Sequence, residues 1–143
     1  MRISLAKPEP IPDILFYEPV KNCYRMIDMK RGVMTGEMSV CCRKDLVIES
    51  LNIVKNERRK GYGTKFLDFA KNLSRRLGYD GDMRLMAAAT AGGESVPPHV
   101  FYRKYGFDSN NKAVLERIDN SIKTGEKLDI ESAPPVYMYY VAK

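Results

Sequence analysis

Histidine and cysteine are both scarce in this chain of 143 residues, which contains one histidine and three cysteines. The single histidine, His99, excludes most catalytic schemes in which histidine activates a serine or cysteine, and it argues against a zinc site built from cysteine and histidine. Cys41 and Cys42 are adjacent on a predicted strand, so their side chains point to opposite faces, and Cys23 stands alone. We therefore expect three reduced, mostly buried thiols, no disulfide framework and no metal site.

Long apolar runs are missing as well. None approaches the length of about 20 residues that a membrane-spanning helix needs, and the start of the chain has no apolar core long enough for a signal peptide. With 44% hydrophobic and 29% charged residues, the composition is typical of a globular protein. We therefore expect a cytoplasmic protein without a membrane segment, folded as a single domain over residues 1–143.

The net charge of +6 narrows the choice of ligand. A basic surface can bind nucleic acid, an anionic membrane or a phosphorylated ligand. Part of the excess positive charge is concentrated at residues 55–65, and the rest is mixed with acidic residues. Because there is no long basic run or aromatic stacking platform, we expect no nucleic-acid partner, and a nucleic-acid binder is the third and least favoured hypothesis.

The first half of the chain predicts strands. Residues 7–19 contain four prolines and predict an extended or turn-rich lead-in around one short strand or helical turn at 14–17. Segments rich in strand-forming residues at 23–30, 33–43 and 46–54 then predict an antiparallel meander.

The second half predicts helices between strands. Apolar residues at helical spacing predict a helix over 66–77 that ends at Gly78, followed by a strand at 83–89. A strand-helix-strand unit favours parallel pairing, so the sheet should be mixed and the fold α+β. After a loop at 90–94, Ser95 is an N-cap candidate for a helix that ends at Gly106.

The end of the chain adds three predicted elements. Apolar spacing predicts a helix at 111–124 with Gly125 as its stop. A proline-containing loop at 129–135 and a closing strand at 136–141 follow.

A glycine-bearing stretch joins the third strand to the first helix. This stretch, residues 56–65, reads Asn-Glu-Arg-Arg-Lys-Gly-Tyr-Gly-Thr-Lys, and we call it the glycine loop. Gly61 and Gly63 allow positive φ and close approach of a ligand to the backbone, and the amides at a helix N-terminus bind anions such as phosphate. The surrounding cations are Lys55, Arg58, Arg59, Lys60 and Lys65.

Two common phosphate loops do not fit this stretch. The Rossmann loop needs a third glycine three residues after Gly63, and that position holds Phe66. The Walker loop needs a Gly-Lys-Ser/Thr end, which is absent. What remains is the pattern Arg58-x-x-Gly61-x-Gly63 after a strand.

Residues 101–107 supply a second motif, since they read Phe-Tyr-Arg-Lys-Tyr-Gly-Phe. The two motifs, in this order, resemble the acetyl-CoA pyrophosphate loop and a later helix end of the GCN5-related N-acetyltransferase (GNAT) superfamily. The resemblance implies that superfamily's fold, an antiparallel meander followed by a strand-helix-strand unit and a closing strand. It also implies acetyl-CoA as cosubstrate without a metal and a small-molecule or peptide amine as acceptor. The oligomeric state stays open, with a homodimer as one option because many relatives dimerise.

The resemblance also implies roles for particular residues. The donor would be held by Leu51, Ile53, Val54, Arg58, Arg59, Lys60, Gly61, Tyr62, Gly63 and Thr64. In the superfamily, a backbone N–H at the position of Ile53 meets the acetyl carbonyl oxygen, and the hydroxyl at the position of Tyr102 faces the CoA sulfur. A phenol is protonated at neutral pH, so Tyr102 can protonate the leaving thiolate. The alternative is that Tyr102 is a core residue packed on the sheet, which we consider the better description of Tyr105.

The general base is less well specified. The superfamily often carries a glutamate where this chain has Val47, but Glu49, two residues on, projects from the same face of the strand. Glu49 can take the amine proton directly or through water, or it can be an ordinary solvated carboxylate. Weaker candidates are Glu37, Glu94 and His99, the last more often a surface or capping residue at a helix start. An amine that arrives neutral needs no base.

We therefore predict an N-acetyltransferase that transfers an acetyl (acyl) group from acetyl-CoA to an amine by direct attack in a ternary complex. The alternative is a non-catalytic CoA-binding or protein-interaction module on the same scaffold, because the chain has no room for the superfamily's two front helices and lacks a carboxylate at Val47. We also predict that residues 108–135 line or lid the acceptor side. Acidic residues there that would attract a cationic amine are Glu116, Asp119 and Glu126, and the alternative is a helix that only covers one end of the sheet.

Overall fold

The fold is taken from a computed structural model, which describes residues 14–19, 22–88, 97–129 and 131–142. Within these ranges the chain forms six strands and three α-helices. The strands are β1 (Ile14–Glu18), β2 (Cys23–Asp28), β3 (Val33–Cys42), β4 (Leu46–Ile53), β5 (Met83–Ala87) and β6 (Val136–Tyr140). The helices are α1 (Tyr62–Arg76), α2 (His99–Tyr105) and α3 (Lys112–Thr124). The loop predicted at 90–94 and the N-cap predicted at Ser95 lie outside the described residues.

The six strands form one sheet in chain order, from β1 to β6. Every neighbouring pair is antiparallel except β4 and β5, which are parallel. The predicted meander, mixed sheet and closing strand are therefore confirmed. Only residues 19–22 lie between β1 and β2.

The centre of the sheet is split. Strand β4 pairs with β5 only through Leu46, Val47 and Ile48, whose partners are Met83, Arg84 and Leu85. Beyond these pairs the two strands separate. The register of β4 against β3 jumps from Ile48 to Ser50, so Glu49 is the extra residue of a β-bulge at the start of the split. A gap therefore opens in the sheet beside Glu49.

Helices α1 and α2 pack on the same face of the sheet. Phe66, Leu67 and Ala70 of α1 are fully buried. A Cβ built on Gly36 of β3 would lie 3.0 Å from the Phe66 ring, so α1 packs closely on β3 where a side chain is missing. The Tyr105 hydroxyl of α2 donates to Asp68 of α1 at 2.6 Å. The helix predicted from residue 66 begins four residues earlier, at Tyr62, and so includes part of the glycine loop.

Helix α3 forms as predicted. The side chain of Asn111 accepts a hydrogen bond from the amide of Val114 at 3.2 Å, which caps the N-terminus, and Gly125 ends the helix with a φ of 75°. Val114, Leu115 and Ile118 are buried. No helix of the described residues is long and apolar enough to cross a membrane.

Two expectations about buried side chains are wrong. Cys42 is exposed because it ends β3, whereas Cys23 is buried and Cys41 is half-buried. His99, expected at the surface, is fully buried, and its Nε2–H donates to the carbonyl oxygen of Pro134 at 2.9 Å. His99 thus connects the start of α2 to the loop before β6.

Burial of His99 predicts acid sensitivity of the fold. Burial lowers its pKa below the ordinary value of 6.5. The unfolded chain therefore takes up a proton at a higher pH than the folded chain. The contribution of neutral His99 to the free energy of unfolding is fully present above pH 6.5 and is lost as the pH falls. We expect the free energy of unfolding to decline below pH 6.5 by up to about 1.4 kcal/mol per pH unit from this one proton. Denaturant unfolding at pH 7.5, 6.5 and 5.5 measures it.

His99→Gln is the matched control, because glutamine keeps a donor for the Pro134 carbonyl and does not titrate in this range. The variant should lose less stability on acidification than the wild type. Equal losses in both proteins would show that other groups cause the acid sensitivity.

Candidate active site

The split between β4 and β5 opens into a cavity of about 970 Å³. Its walls are residues 48–53 of β4, the segment after that strand, the end of β5 and the first half of α2. The predicted site residues that line it are Glu49, Leu51, Ile53, Arg58, Arg59, Gly63 and Tyr102. Those that do not line it are Val54, Lys60, Gly61, Tyr62 and Thr64. The fold therefore brings most of the predicted donor-binding and catalytic residues to one cavity.

The glycine loop ends at the N-terminus of α1. Gly61 precedes the helix with a φ of 86°, as predicted, and its carbonyl accepts the first helical hydrogen bond, from Lys65, at 3.1 Å. The amides of Tyr62, Gly63 and Thr64 lie before that bond, where a helix has no internal acceptors. These amides and the helix dipole favour an anion at the mouth of the cavity.

Gly63 is also constrained by the packing of the helices. It lies within α1, and a Cβ built on it would come within 2.8 Å of the Phe101 ring. Close packing of α1 on α2, rather than positive φ, therefore selects glycine here. Besides Gly61, Arg59 on the other side of Lys60 has a positive φ, 64°, a conformation that residues other than glycine rarely adopt.

The end of β4 makes hydrogen bonds to the glycine loop and to β3. Arg58 Nε donates to the carbonyl oxygen of Ile53 at 3.0 Å. The amide of Val54 donates to the carbonyl oxygen of Thr35 at 2.8 Å. The Ile53 carbonyl and the Val54 amide are therefore used by the protein itself, which leaves the edge of β4 before Ile53 to pair with an extended ligand.

Tyr102 stands in the cavity wall. Its side chain is 7% exposed and packs against Phe101 and Phe107, with ring centroids at 5.4 Å and 5.6 Å. Burial raises the pKa of Tyr102 to about 12. No hydrogen bond among the described residues involves its hydroxyl. The hydroxyl is therefore protonated at neutral pH and open to a ligand atom.

Tyr105 differs from Tyr102 in the partner of its hydroxyl and in its position relative to the cavity. Its hydroxyl is bonded to Asp68, and burial together with that carboxylate raises its pKa. It does not line the cavity. This placement agrees with its predicted packing role.

Glu49 is the candidate base that reaches the cavity. It is exposed and lies where β4 and β5 separate. Glu37 instead accepts from Arg25 at 3.5 Å, and His99 is bonded to Pro134. Glu94 lies outside the described residues. In the part of the chain that is described, no group of three or more histidine, cysteine, aspartate or glutamate side chains can hold a metal ion.

The segment at 108–135 does not lie where we predicted. No described residue of it lines the cavity. Both carboxylate oxygens of Asp119 instead accept from Arg103 of α2, at 2.8 Å and 3.3 Å, so this carboxylate is already paired. Helix α3 packs on α2.

Cavity residues that were not predicted as site residues include Met86, Val100 and Lys104. Met86 follows Leu85, the last residue of β5 that pairs with β4. Its position depends on the parallel register, which no residue pattern in β5 specifies.

No protein-family model and no curated protein matches the chain. Solved structures do match it. Nourseothricin acetyltransferase is 20% identical over 82% of this chain and 63% of its own, with a TM-score of 0.55. Naa50 of Arabidopsis thaliana, in complex with the bisubstrate analogue CoA-Ac-MVNAL, is 12% identical over 85% of this chain and 74% of its own, with a TM-score of 0.55.

An acyl-CoA N-acyltransferase from Pseudomonas aeruginosa is 16% identical over 83% of this chain and 68% of its own, with a TM-score of 0.52. The chain thus spans about two thirds of the length of several of these structures. At such low identities the likeness concerns the fold. With its six-stranded sheet and one parallel strand pair, the chain has the fold of these acetyltransferases, that of the GCN5-related N-acetyltransferase superfamily.

Proposed function

We propose that the chain is an N-acyltransferase that transfers an acetyl group from acetyl-CoA to an amine by direct attack in a ternary complex. The observation that carries the proposal is the gap between β4 and β5, which opens beside both the glycine loop and Tyr102. Structural neighbours of the same fold support it. One is in complex with a bisubstrate analogue, and another, N-acetylglutamate synthase from Neisseria gonorrhoeae, is in complex with coenzyme A and N-acetyl-glutamate.

Donor binding would use backbone groups at both ends of the cavity. The amides of residues 61–64 bind the diphosphate at the N-terminus of α1, with Arg58, Arg59 and Lys60 supplying positive charge. The pantetheine arm then pairs with the free edge of β4 at Leu51 as an additional strand would. This path runs from the glycine loop to the split in the sheet and brings the thioester close to Tyr102.

The transfer itself needs few side chains. The amine nitrogen uses its lone pair to attack the thioester carbonyl carbon, and a backbone N–H near Ile53 stabilises the oxyanion. The intermediate collapses with cleavage of the carbon–sulfur bond, the nitrogen loses its proton, and the sulfur leaves as a thiolate that Tyr102 protonates. With a pKa of about 12, Tyr102 is a weak acid compared with a thiol of ordinary pKa about 8.5, so full proton transfer is uphill. A strong hydrogen bond to the departing sulfur is therefore the first contribution of this phenol. Solvent returns the proton that Tyr102 gives, and the proton that the amine loses passes to the base.

Glu49 is the proposed base. Its carboxylate lies at the split, where an amine would meet the thioester, and no other described residue binds it. Since Glu49 is exposed, the proton passes to it directly or through one water molecule.

Glu49→Gln should lower kcat by about 10²-fold, the lower end of the effect of general acid–base catalysis, and leave CoA affinity unchanged. The loss should be largest below the pKa of the acceptor amine, where the amine must be deprotonated. Initial rates over a pH series, with Glu37→Gln as a control carboxylate away from the cavity, measure it. A parallel loss in both variants would remove Glu49 from the mechanism.

The experiment that tests the function combines calorimetry with a thiol-release assay. CoA should bind the wild-type protein, and acetyl-CoA with a panel of small-molecule and peptide amines should release free thiol above the rate of hydrolysis. CoA binding with no turnover for any amine would favour the non-catalytic CoA-binding module. Absence of CoA binding would reject both.

A further inference from the structure

The turn between β2 and β3 is joined to the glycine loop by charged side chains. Arg31, in that turn, donates through Nη1 to Glu57 Oε2 at 3.0 Å and through Nη2 to Glu57 Oε1. Lys60 Nζ lies 3.5 Å from the same Glu57 Oε2. Arg31 Nε also donates to Asp28 at 2.7 Å, which fixes the plane of the guanidinium. We call Asp28, Arg31, Glu57 and Lys60 the charge clamp.

Glu57 is a carboxylate in an unfavourable place. It immediately precedes Arg58, the first residue of the loop motif, and it is only 6% exposed. The guanidinium of Arg31 lowers the pKa of Glu57, so the carboxylate is charged at neutral pH. A buried negative charge next to the proposed diphosphate site would repel the ligand unless a cation neutralises it.

Arg31 is not needed to form the turn itself. The amides of Lys30 and Arg31 donate to Asp28 Oδ1 at 3.0 Å and 3.3 Å, and the amide of Gly32 donates to the Asp28 carbonyl at 2.7 Å. These bonds involve only backbone donors, so the turn keeps them when the Arg31 side chain is shortened. The interactions of the Arg31 side chain with Glu57 therefore serve the glycine loop rather than the turn.

We infer that Arg31 is a positioning residue for the phosphorylated end of the donor, acting through Glu57. It neutralises and holds the Glu57 carboxylate, so the loop presents a net positive charge and free amides to the diphosphate. The inference rests on the proposed function, since it assumes that the loop binds CoA. Arg31 itself does not line the cavity.

Arg31→Met should weaken CoA binding about tenfold and leave kcat at saturating acetyl-CoA unchanged. A unit charge acting over about 10 Å at an effective dielectric constant of about 20 produces a change of this size. The double variant Arg31→Met/Glu57→Gln removes both charges, so it should recover most of the lost affinity. Calorimetric titration with CoA measures the affinities, and saturation kinetics separate KM from kcat.

Arg84→Met is the matched control. Arg84 also forms a bidentate contact with one carboxylate, that of Asp45, with both hydrogen bonds at 3.1 Å. It does not line the cavity. The Arg84→Met variant changes the net charge by the same amount as Arg31→Met, and its affinity for CoA should equal that of the wild type. If Arg31→Met does not fold, Arg31→Lys retains the positive charge and should bind CoA within about threefold of the wild type.

The outcomes are distinct. Unchanged CoA affinity in folded Arg31→Met would overturn the inference, and so would a double variant as weak as the single one, because removing the carboxylate would then bring no relief. A large loss in Arg31→Lys would overturn it as well. In all these cases wild-type protein still binds CoA, so the proposed function survives. Failure of the wild type to bind CoA would instead reject the proposed function.

Discussion

Gly63→Val should abolish measurable CoA binding while the chain stays folded. A Cβ at this position would lie 2.8 Å from Cζ and 3.3 Å from Cε2 of the Phe101 ring, so even the first added carbon displaces the ring. Phe101 is only half-buried and lines the cavity, so the ring can move into the space proposed for the donor. Overpacking of this kind costs about 1–3 kcal/mol, and the valine methyl groups also block approach to the amides. We expect the dissociation constant for CoA to rise by at least about 10²-fold.

Gly78→Val, at the other end of α1, separates this effect from loss of stability. Gly78 has a φ of 89° with open space around the position of a Cβ, so valine there strains the backbone without touching the cavity. Its melting temperature should fall and its CoA affinity should stay at the wild-type value. If calorimetry finds ordinary CoA affinity in a folded Gly63→Val protein, the loop does not bind the donor as proposed.

Local signals in the sequence account for the elements that were predicted correctly. Helix α3 was predictable because apolar spacing, an N-terminal Asn111 and a terminal Gly125 agree with one another. The meander was predictable because short turns join its three strands, so neighbours in sequence are neighbours in the sheet. The position of the glycine loop followed from its place between a strand and a helix.

Features that depend on contacts between distant residues were not predictable. The jump in register at Glu49 arises from pairing with β3 and leaves no composition signal. Arg31 and Glu57 are 26 residues apart, and each alone looks like a solvated charge. The prediction that 108–135 lines the cavity failed because nearness in sequence to α2 was taken as nearness to the cavity, whereas Asp119 of α3 pairs with Arg103 of α2.

Tyr102→Phe should lower kcat by about 10²–10⁴-fold, the usual range for general acid–base catalysis, and leave CoA affinity unchanged. The variant removes one hydroxyl that no described residue binds and keeps the ring contacts with Phe101 and Phe107, so the fold should keep its stability. Steady-state kinetics with a good acceptor, together with calorimetric titration of CoA, measures both quantities.

Two comparisons show whether the hydroxyl of Tyr102 acts in the reaction. Because burial raises its pKa to about 12, the phenol stays protonated at pH 10, where an ordinary tyrosine would be half ionised. Wild-type kcat should therefore not fall between pH 8 and pH 10. Tyr105→Phe removes the hydrogen bond to Asp68, so it should cost stability, by about 1 kcal/mol, and retain turnover. A kcat near the wild-type value in Tyr102→Phe would make this tyrosine a packing residue only, and the proton for the thiolate would then have to come from the ammonium formed on the acceptor or from water in the split of the sheet.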